Sequence, residues 1–175
     1  MPRLLTGADI RRLLELLDGE LAAQDVVGEL YLVGGAVMCL VYDAREATRD
    51  IDAYFKPTTL VRQAAVRVAA RAGVHDTWLN DAVKGFLSPR GTFDPYLELP
   101  HLRVYVAEPH YLLAMKCAAM RLGGEEFHDL EDVRYLLRYL DISTVDEALD
   151  IVTRYFDEKQ LPPKTRFALE ELLGG

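Results

Sequence analysis

Cysteine and tryptophan are scarce in this chain of 175 residues, which has two of the first and one of the second. Cys39 and Cys117 sit in apolar runs without a CxxC or CxxH neighbour. That pattern excludes a disulfide framework and predicts buried, reduced thiols, as in a cytoplasmic protein. The histidines His75, His101, His110 and His128 have no zinc-site spacing either. Long apolar runs are missing: the longest stretch without charge, 30–42, has thirteen residues and contains Gly34 and Gly35. A membrane-spanning helix needs roughly 20, so no membrane contact is expected. Residues 1–5 run straight into Asp9, Arg11 and Arg12, without the apolar core or cleavage site of a signal peptide. Basic charge is in deficit, with 20 Lys and Arg against 28 Asp and Glu and a net charge of −8. Bulk electrostatic coating of nucleic acid is therefore excluded, and any RNA contact must be local.

What is present is an ordinary globular composition, 50% hydrophobic and 27% charged, in a chain long enough to build its core without staples. Thr6 and Asp9 have the spacing of a capping box, and Ile10, Leu13, Leu14, Leu17 and Leu21 follow at helical spacing. Residues 29–33 read as a strand stopped by Gly34-Gly35, with a buried helix over 36–42. A second strand over 50–55 ends at Pro57, and a helix runs from Thr58 to Ala72 with Gly73 as its stop. The stretch 77–87 reads as a further helix interrupted by Asn80, Asp81 and Lys84, before a Pro89-Arg90-Gly91 turn. Strands over 96–99 and 102–106 flank Pro100, Pro109 opens a helix to about 122, and Gly123-Gly124 breaks the chain. The remainder reads as helices over 129–140, after a Thr144/Glu147 capping box, and after Pro162-Pro163. The fold class expected is α/β (α+β): a small mixed β-sheet core with flanking helices over 1–107 and a C-terminal helical part over 108–175, packed as a single domain.

The chemistry concentrates where fourteen residues separate Gly35 from Asp50. On a strand Asp50 and Asp52 project from one face, about 6.6 Å apart along the backbone, with Ile51 turned to the core. Two like charges so placed repel unless cations share them, and a pair of Mg²⁺ ions is the usual answer in phosphoryl transfer. The glycines supply the other half, since backbone without Cβ lets N–H groups approach a phosphate. Alone, a Gly-Gly after a strand is a turn and an Asp-x-Asp is a solvated pair. Together they describe a cradle for metal and triphosphate.

Val33-Gly34-Gly35 with Asp50-Ile51-Asp52-Ala53 resembles the signature of the nucleotidyltransferase superfamily that includes DNA polymerase β. The fuller strings 31–36, 48–52 and 78–83 are similar to the small bacterial DUF6036 group, related to AbiEii and MenT toxins. The resemblance implies transfer of a nucleoside monophosphate from a nucleoside triphosphate such as ATP to an acceptor hydroxyl. Asp50 and Asp52 would be catalytic metal ligands for two Mg²⁺ ions, and Gly34, Gly35, Arg49 and Asn80 nucleotide-binding residues. Many superfamily members carry a third carboxylate, for which Glu98 is the candidate, the other reading being an exposed strand residue.

Lys116 stands in the otherwise uncharged run 112–120, where a buried ammonium needs an anion, either a phosphate or a carboxylate. Asp129 and Asp132, spaced i, i+3 on the next helix, can supply it. AbiEii-like proteins have a similar Lys and Asp-x-x-Asp, which implies catalytic roles for Lys116 and Asp129 and nucleotide contact for Lys116 and Asp132. Arg62, Arg67 and Arg71 make either a basic stripe for RNA or a solvated helix face. By resemblance the acceptor is a tRNA or other RNA, and the protein a toxin with an antitoxin partner. A protein or small-molecule acceptor stays open, as does a nucleotide-binding regulatory module without turnover.

Overall fold

The computed structural model describes residues 3–120 and 126–174, without the side chains of 126–129. The chain is a mixed α/β protein whose seven α-helices accompany a mixed five-stranded sheet and a two-stranded ribbon, among the described residues. It divides into two compact units, one of residues 1–85 with 93–107, the other of 86–92 with 108–175.

The first unit opens on a two-residue strand β1 (Leu5–Thr6) and the helix α1 (Gly7–Ala23). Thr6 caps the helix as the spacing requires: its hydroxyl accepts from the Asp9 N–H at 3.1 Å, and the Asp9 carboxylate accepts from the Thr6 N–H at 3.0 Å. The five apolar positions from Ile10 to Leu21 are its buried face. Strand β2 (Gly28–Val33) leads through Gly34 into the short helix α2 (Gly35–Leu40), and β3 (Ala47–Thr48) pairs antiparallel with β1. Strand β4 (Ile51–Lys56) alternates cleanly, with Ile51, Ala53 and Phe55 buried. Helix α3 (Thr58–Ala72) buries Val61, Ala64, Ala65, Val68 and Ala69 and stops at Gly73. It packs against α1, and the two helices meet the buried face of the sheet at β4 and β7 (Leu102–Ala107). Glu20 of α1 accepts from both Arg67 (3.1 Å) and Arg71 (2.9 Å), while Arg62 bonds Asp81 at 2.6 Å. The arginines of α3 are thus engaged in ion pairs within the unit.

The stretch 77–87 departs from the expected helix. It forms a two-residue strand β5 (Leu79–Asn80) and a 3-10 turn over Ala82–Phe86. The polar residues that interrupt its apolar pattern leave no helical face to bury, and pairing with β4 sets its conformation. Strand β6 (Phe93–Leu99) forms a hairpin with β7, with a shift of register between Pro95 and Leu97. The sheet order is β5-β4-β2-β7-β6; β2 is antiparallel to β4 and parallel to β7.

The second unit holds α4 (Pro109–Ala118), α5 (Glu126–Tyr139), α6 (Val145–Tyr155) and α7 (Pro163–Leu172). Helix α4 packs on α5 and α6, and α7 on α5 and α6. Residues 86–92 belong here because Ser88 donates to the Tyr155 carbonyl and to the Tyr111 hydroxyl, and the rings of Tyr111 and Tyr155 stack at 5.0 Å. Thr144 caps α6 by accepting from the Glu147 N–H. The Thr165 hydroxyl, buried on α7, donates to the Cys117 carbonyl at 2.7 Å, which ties α7 to the end of α4. Residues 121–125, including the Gly123-Gly124 break, lie outside the described residues. No helix among the described residues is long and apolar enough to cross a membrane.

Candidate active site

Strand pairing brings the diglycine to the acidic motif. Val33 lies opposite Asp52 in the β2–β4 ladder, so the chain turns at Gly34 beside the Asp52 side chain. Gly34 has φ 71° and ψ −150°, a conformation that essentially only glycine adopts. A Cβ placed on it would stand 3.2 Å from Asp52 Oδ2. The space a side chain would fill is therefore occupied by the carboxylate.

The next residue makes a second contact. A Cβ on Gly35 would collide with the Arg45 guanidinium and stand 2.8 Å from the Thr48 hydroxyl. Thr48 in turn donates to the backbone carbonyl of Asp50 at 3.3 Å. Arg45 carries the only positive charge in 36–48, and sequence reading missed its place: nothing in the local pattern says that the chain after α2 folds back on the glycines. Helix α2 has only six residues. That is too short for the strong terminal dipole expected at a phosphate site, and the positive charge at this turn comes from Arg45.

Asp50 lies one residue before β4, in a bend, rather than on the strand as expected. Asp52 is on β4 and half-buried, on the face opposite Ile51 and Ala53. Asn80 of β5 pairs directly with Asp52, and its side-chain oxygen accepts from the Ala82 N–H at 3.3 Å. Gly34, Gly35, Asp50, Asp52 and Asn80 thus gather at one end of the sheet.

Of two other expected residues, one lines a cavity and one goes elsewhere. Arg49, next to Asp50 in sequence, lines a separate cavity described below. Glu98 is 80% exposed and forms an ion pair with Arg103 at 3.7 Å. It stands in the cross-strand row Glu98, Arg103, Glu29, Lys56, and Lys56 is four residues along β4 from Asp52, about 13 Å. The pairing of β6 thus carries Glu98 to the far end of the sheet, away from the acid pair, as the exposed strand residue of the other reading.

The face of the sheet that bears Asp52 continues as an aromatic row. Tyr31 stacks on Tyr105 (centroids 4.9 Å, planes at 10°), meets Phe93 edge-on at 5.2 Å and lies 5.8 Å from Tyr54. The Lys56 ammonium sits 5.8 Å over the Tyr31 ring. Burial, then the nearby Glu29 charge, pushes the Tyr31 hydroxyl above its ordinary pKa.

In the second unit Lys116 Nζ lies 2.8 Å from Asp132 Oδ2. That carboxylate is one of the partners expected for this ammonium. The Asp129 side chain lies outside the described residues.

Among the described residues no group of three His, Cys, Asp or Glu side chains gathers around one point. Magnesium does not need one, since it is commonly held by one or two carboxylates with substrate phosphates and waters filling its octahedron. The carboxylates of Asp50 and Asp52 fit that donor chemistry. No protein-family model, curated protein or solved structure matches the chain.

Proposed function

We propose that the first unit is a magnesium-dependent nucleotidyltransferase, which moves a nucleoside monophosphate from a nucleoside triphosphate to an acceptor hydroxyl. The observation that carries this reading is the contact between Gly34 and the Asp52 carboxylate, with Thr48 linking Gly35 to Asp50. The Asp52 carboxylate, held against the turn at Gly34 and two residues along from Asp50, supports a shared site for metal and triphosphate. A guanidinium, that of Arg45, stands beside Gly35.

In this mechanism Asp50 and Asp52 are the metal ligands, and bound magnesium supplies charge neutralisation of the triphosphate and of the leaving pyrophosphate. The absence of a Cβ at Gly34 and Gly35 lets the Asp52 carboxylate and the Arg45 guanidinium close on the turn, so that a metal ligand and a phosphate partner stand at one place. Arg45 offers a planar fork to the phosphate oxygens. Asn80, paired with Asp52, borders the site. The acceptor oxygen bonds to the α-phosphorus as the bond from the α-phosphorus to the bridging oxygen breaks, pyrophosphate departs, and the acceptor proton passes to solvent. The chain contributes position and charge. The buried thiols of Cys39 and Cys117 support a reducing compartment such as the cytoplasm.

The acceptor, whether tRNA or other RNA as in a toxin with its antitoxin, a protein, or a small molecule, is read from the same experiment. The protein is incubated with Mg²⁺, each α-labelled nucleoside triphosphate and cell lysate. Label is expected in RNA, in a protein band or in a small molecule, and Asp52→Asn should lower it at least about a hundredfold. Full labelling by Asp52→Asn overturns the site. Binding of triphosphate without any transfer identifies a nucleotide-binding module instead.

A further inference from the structure

The antiparallel pairing of Leu5 with Thr48 and of Thr6 with Ala47 brings Arg3 and Arg49, just beyond that ladder, to the same end of the β1–β3 ribbon. The connection from α3 to β5 adds His75. These three basic side chains line one cavity of about 300 Å³, over an apolar floor of Leu5, Val74 and Trp78. Leu5 and Trp78 are each 1% exposed, and Trp78 is held by its indole N–H donating to the Ala65 carbonyl at 2.8 Å. The floor is therefore rigid. Arg3 is oriented by Asp9, whose carboxylate accepts from its Nη2 at 2.7 Å, and that bond engages one of the five donors a guanidinium carries.

Two guanidinium groups and an imidazole thus line one concavity of a protein whose net charge is −8, a local concentration of donors suited to an anion. Arginine forks match phosphate oxygens in bidentate geometry. The volume lies at the lower end of small-molecule sites, and Val74, half-buried, is the apolar residue of the lining with surface to offer a ligand. We propose that this cavity is a phosphate-binding subsite for a phosphate monoester of mononucleotide size. Arg3 and Arg49 take the phosphate, His75 borders it, and Val74, backed by the buried Leu5 and Trp78, underlies the remainder. The site is distinct from the acid pair, and the inference does not rest on the transferase reading.

The test is isothermal titration calorimetry on the full chain, with EDTA present to exclude divalent metal, using AMP and inorganic phosphate as separate titrants. AMP should bind saturably, more tightly than inorganic phosphate, and be displaced by it. Arg3→Gln and Arg49→Gln should each weaken AMP binding about tenfold or more, as expected on loss of a hydrogen bond to a charged group. Both side chains are exposed, and a thermal melt of each variant establishes that it is folded. Absence of saturable binding by the wild-type chain, or affinity unchanged in both variants, overturns the proposal. Equal affinity for the two titrants overturns its nucleotide-sized part.

Discussion

Lys116 and Asp132 hold each other in the helical unit, with side chains only 10% and 4% exposed and a separation of 2.8 Å. The pair joins α4 to α5 where water cannot replace either partner. Removing one member of a buried ion pair typically costs about 3–5 kcal/mol, whereas replacing both by apolar groups is often neutral. Lys116→Met is therefore expected to lower the urea midpoint sharply, and the double variant Lys116→Met with Asp132→Leu to recover most of the loss. Equal midpoints for the wild type and the single variant would show that the pair contributes nothing.

Gly34→Ala tests the turn at the acid pair. The substitution forces a residue with Cβ into φ 71°, ψ −150° and against Asp52 Oδ2. The backbone strain costs about 1–3 kcal/mol, read as a lower melting temperature. The displaced carboxylate should cut nucleotide transfer more than tenfold at a temperature where the variant is still folded. A variant with native activity and native melting temperature would contradict the geometry.

Stability should fall on the acid side through three carboxylates. The Thr6 backbone N–H, with Arg3 beside it, holds the Asp9 carboxyl below its ordinary pKa. Hydrogen bonds from Arg71 and Arg67 do the same for Glu20. At Asp81 partial burial acts upward, and the bonds from Lys84 and Arg62 together outweigh it, so its pKa is also lowered. A carboxyl depressed in the folded state adds stability that is complete above its unfolded pKa and is lost as pH falls through its folded value. Unfolding free energy should thus be level from neutral pH to about 5 and decline below about 4, near unperturbed carboxyl values. Glu20→Gln should shallow that decline; an identical acid limb in wild type and variant would remove Glu20 from the account.

Cys117 is fully buried, and burial pushes its thiol pKa up to about 12. The thiolate is the reactive species, so the native protein should leave Cys117 unmodified by iodoacetamide at pH 8, and unfolding in urea should expose it to full alkylation. Peptide mass mapping reads both states. Rapid native alkylation at Cys117 would show that α4 opens locally.

What could be read from sequence was whatever rests on local periodicity. Helix α1 announced its cap in Thr6 and Asp9 and its buried face in five apolar residues. Helix α3 announced both ends, β4 its alternating faces and β2 its β-rich run up to the glycines. The two-residue strands were invisible, because Ala47–Thr48 and Leu79–Asn80 become strands only through partners far away in the chain. At the candidate site, the residue types of Gly34, Asp50 and Asp52 were legible from spacing. Their closeness follows from β2 running antiparallel to β4, which no local pattern states. Arg49 shares a cavity with Arg3 and His75 for the same reason, since the β1–β3 pairing that brings the two arginines together is stated by no local pattern. Arg45 was missed because its role depends on a return of the loop after α2.

The margins of the five-stranded sheet also govern behaviour at high concentration. One border is the two-residue β5, and the other is β6, where Pro95 has no N–H to offer and the register slips before Leu97. A neighbouring molecule seeking to extend the ladder meets a stub on one side and an interrupted template on the other. Lateral strand addition between copies, the usual first step toward fibrils, is thereby blunted at both borders.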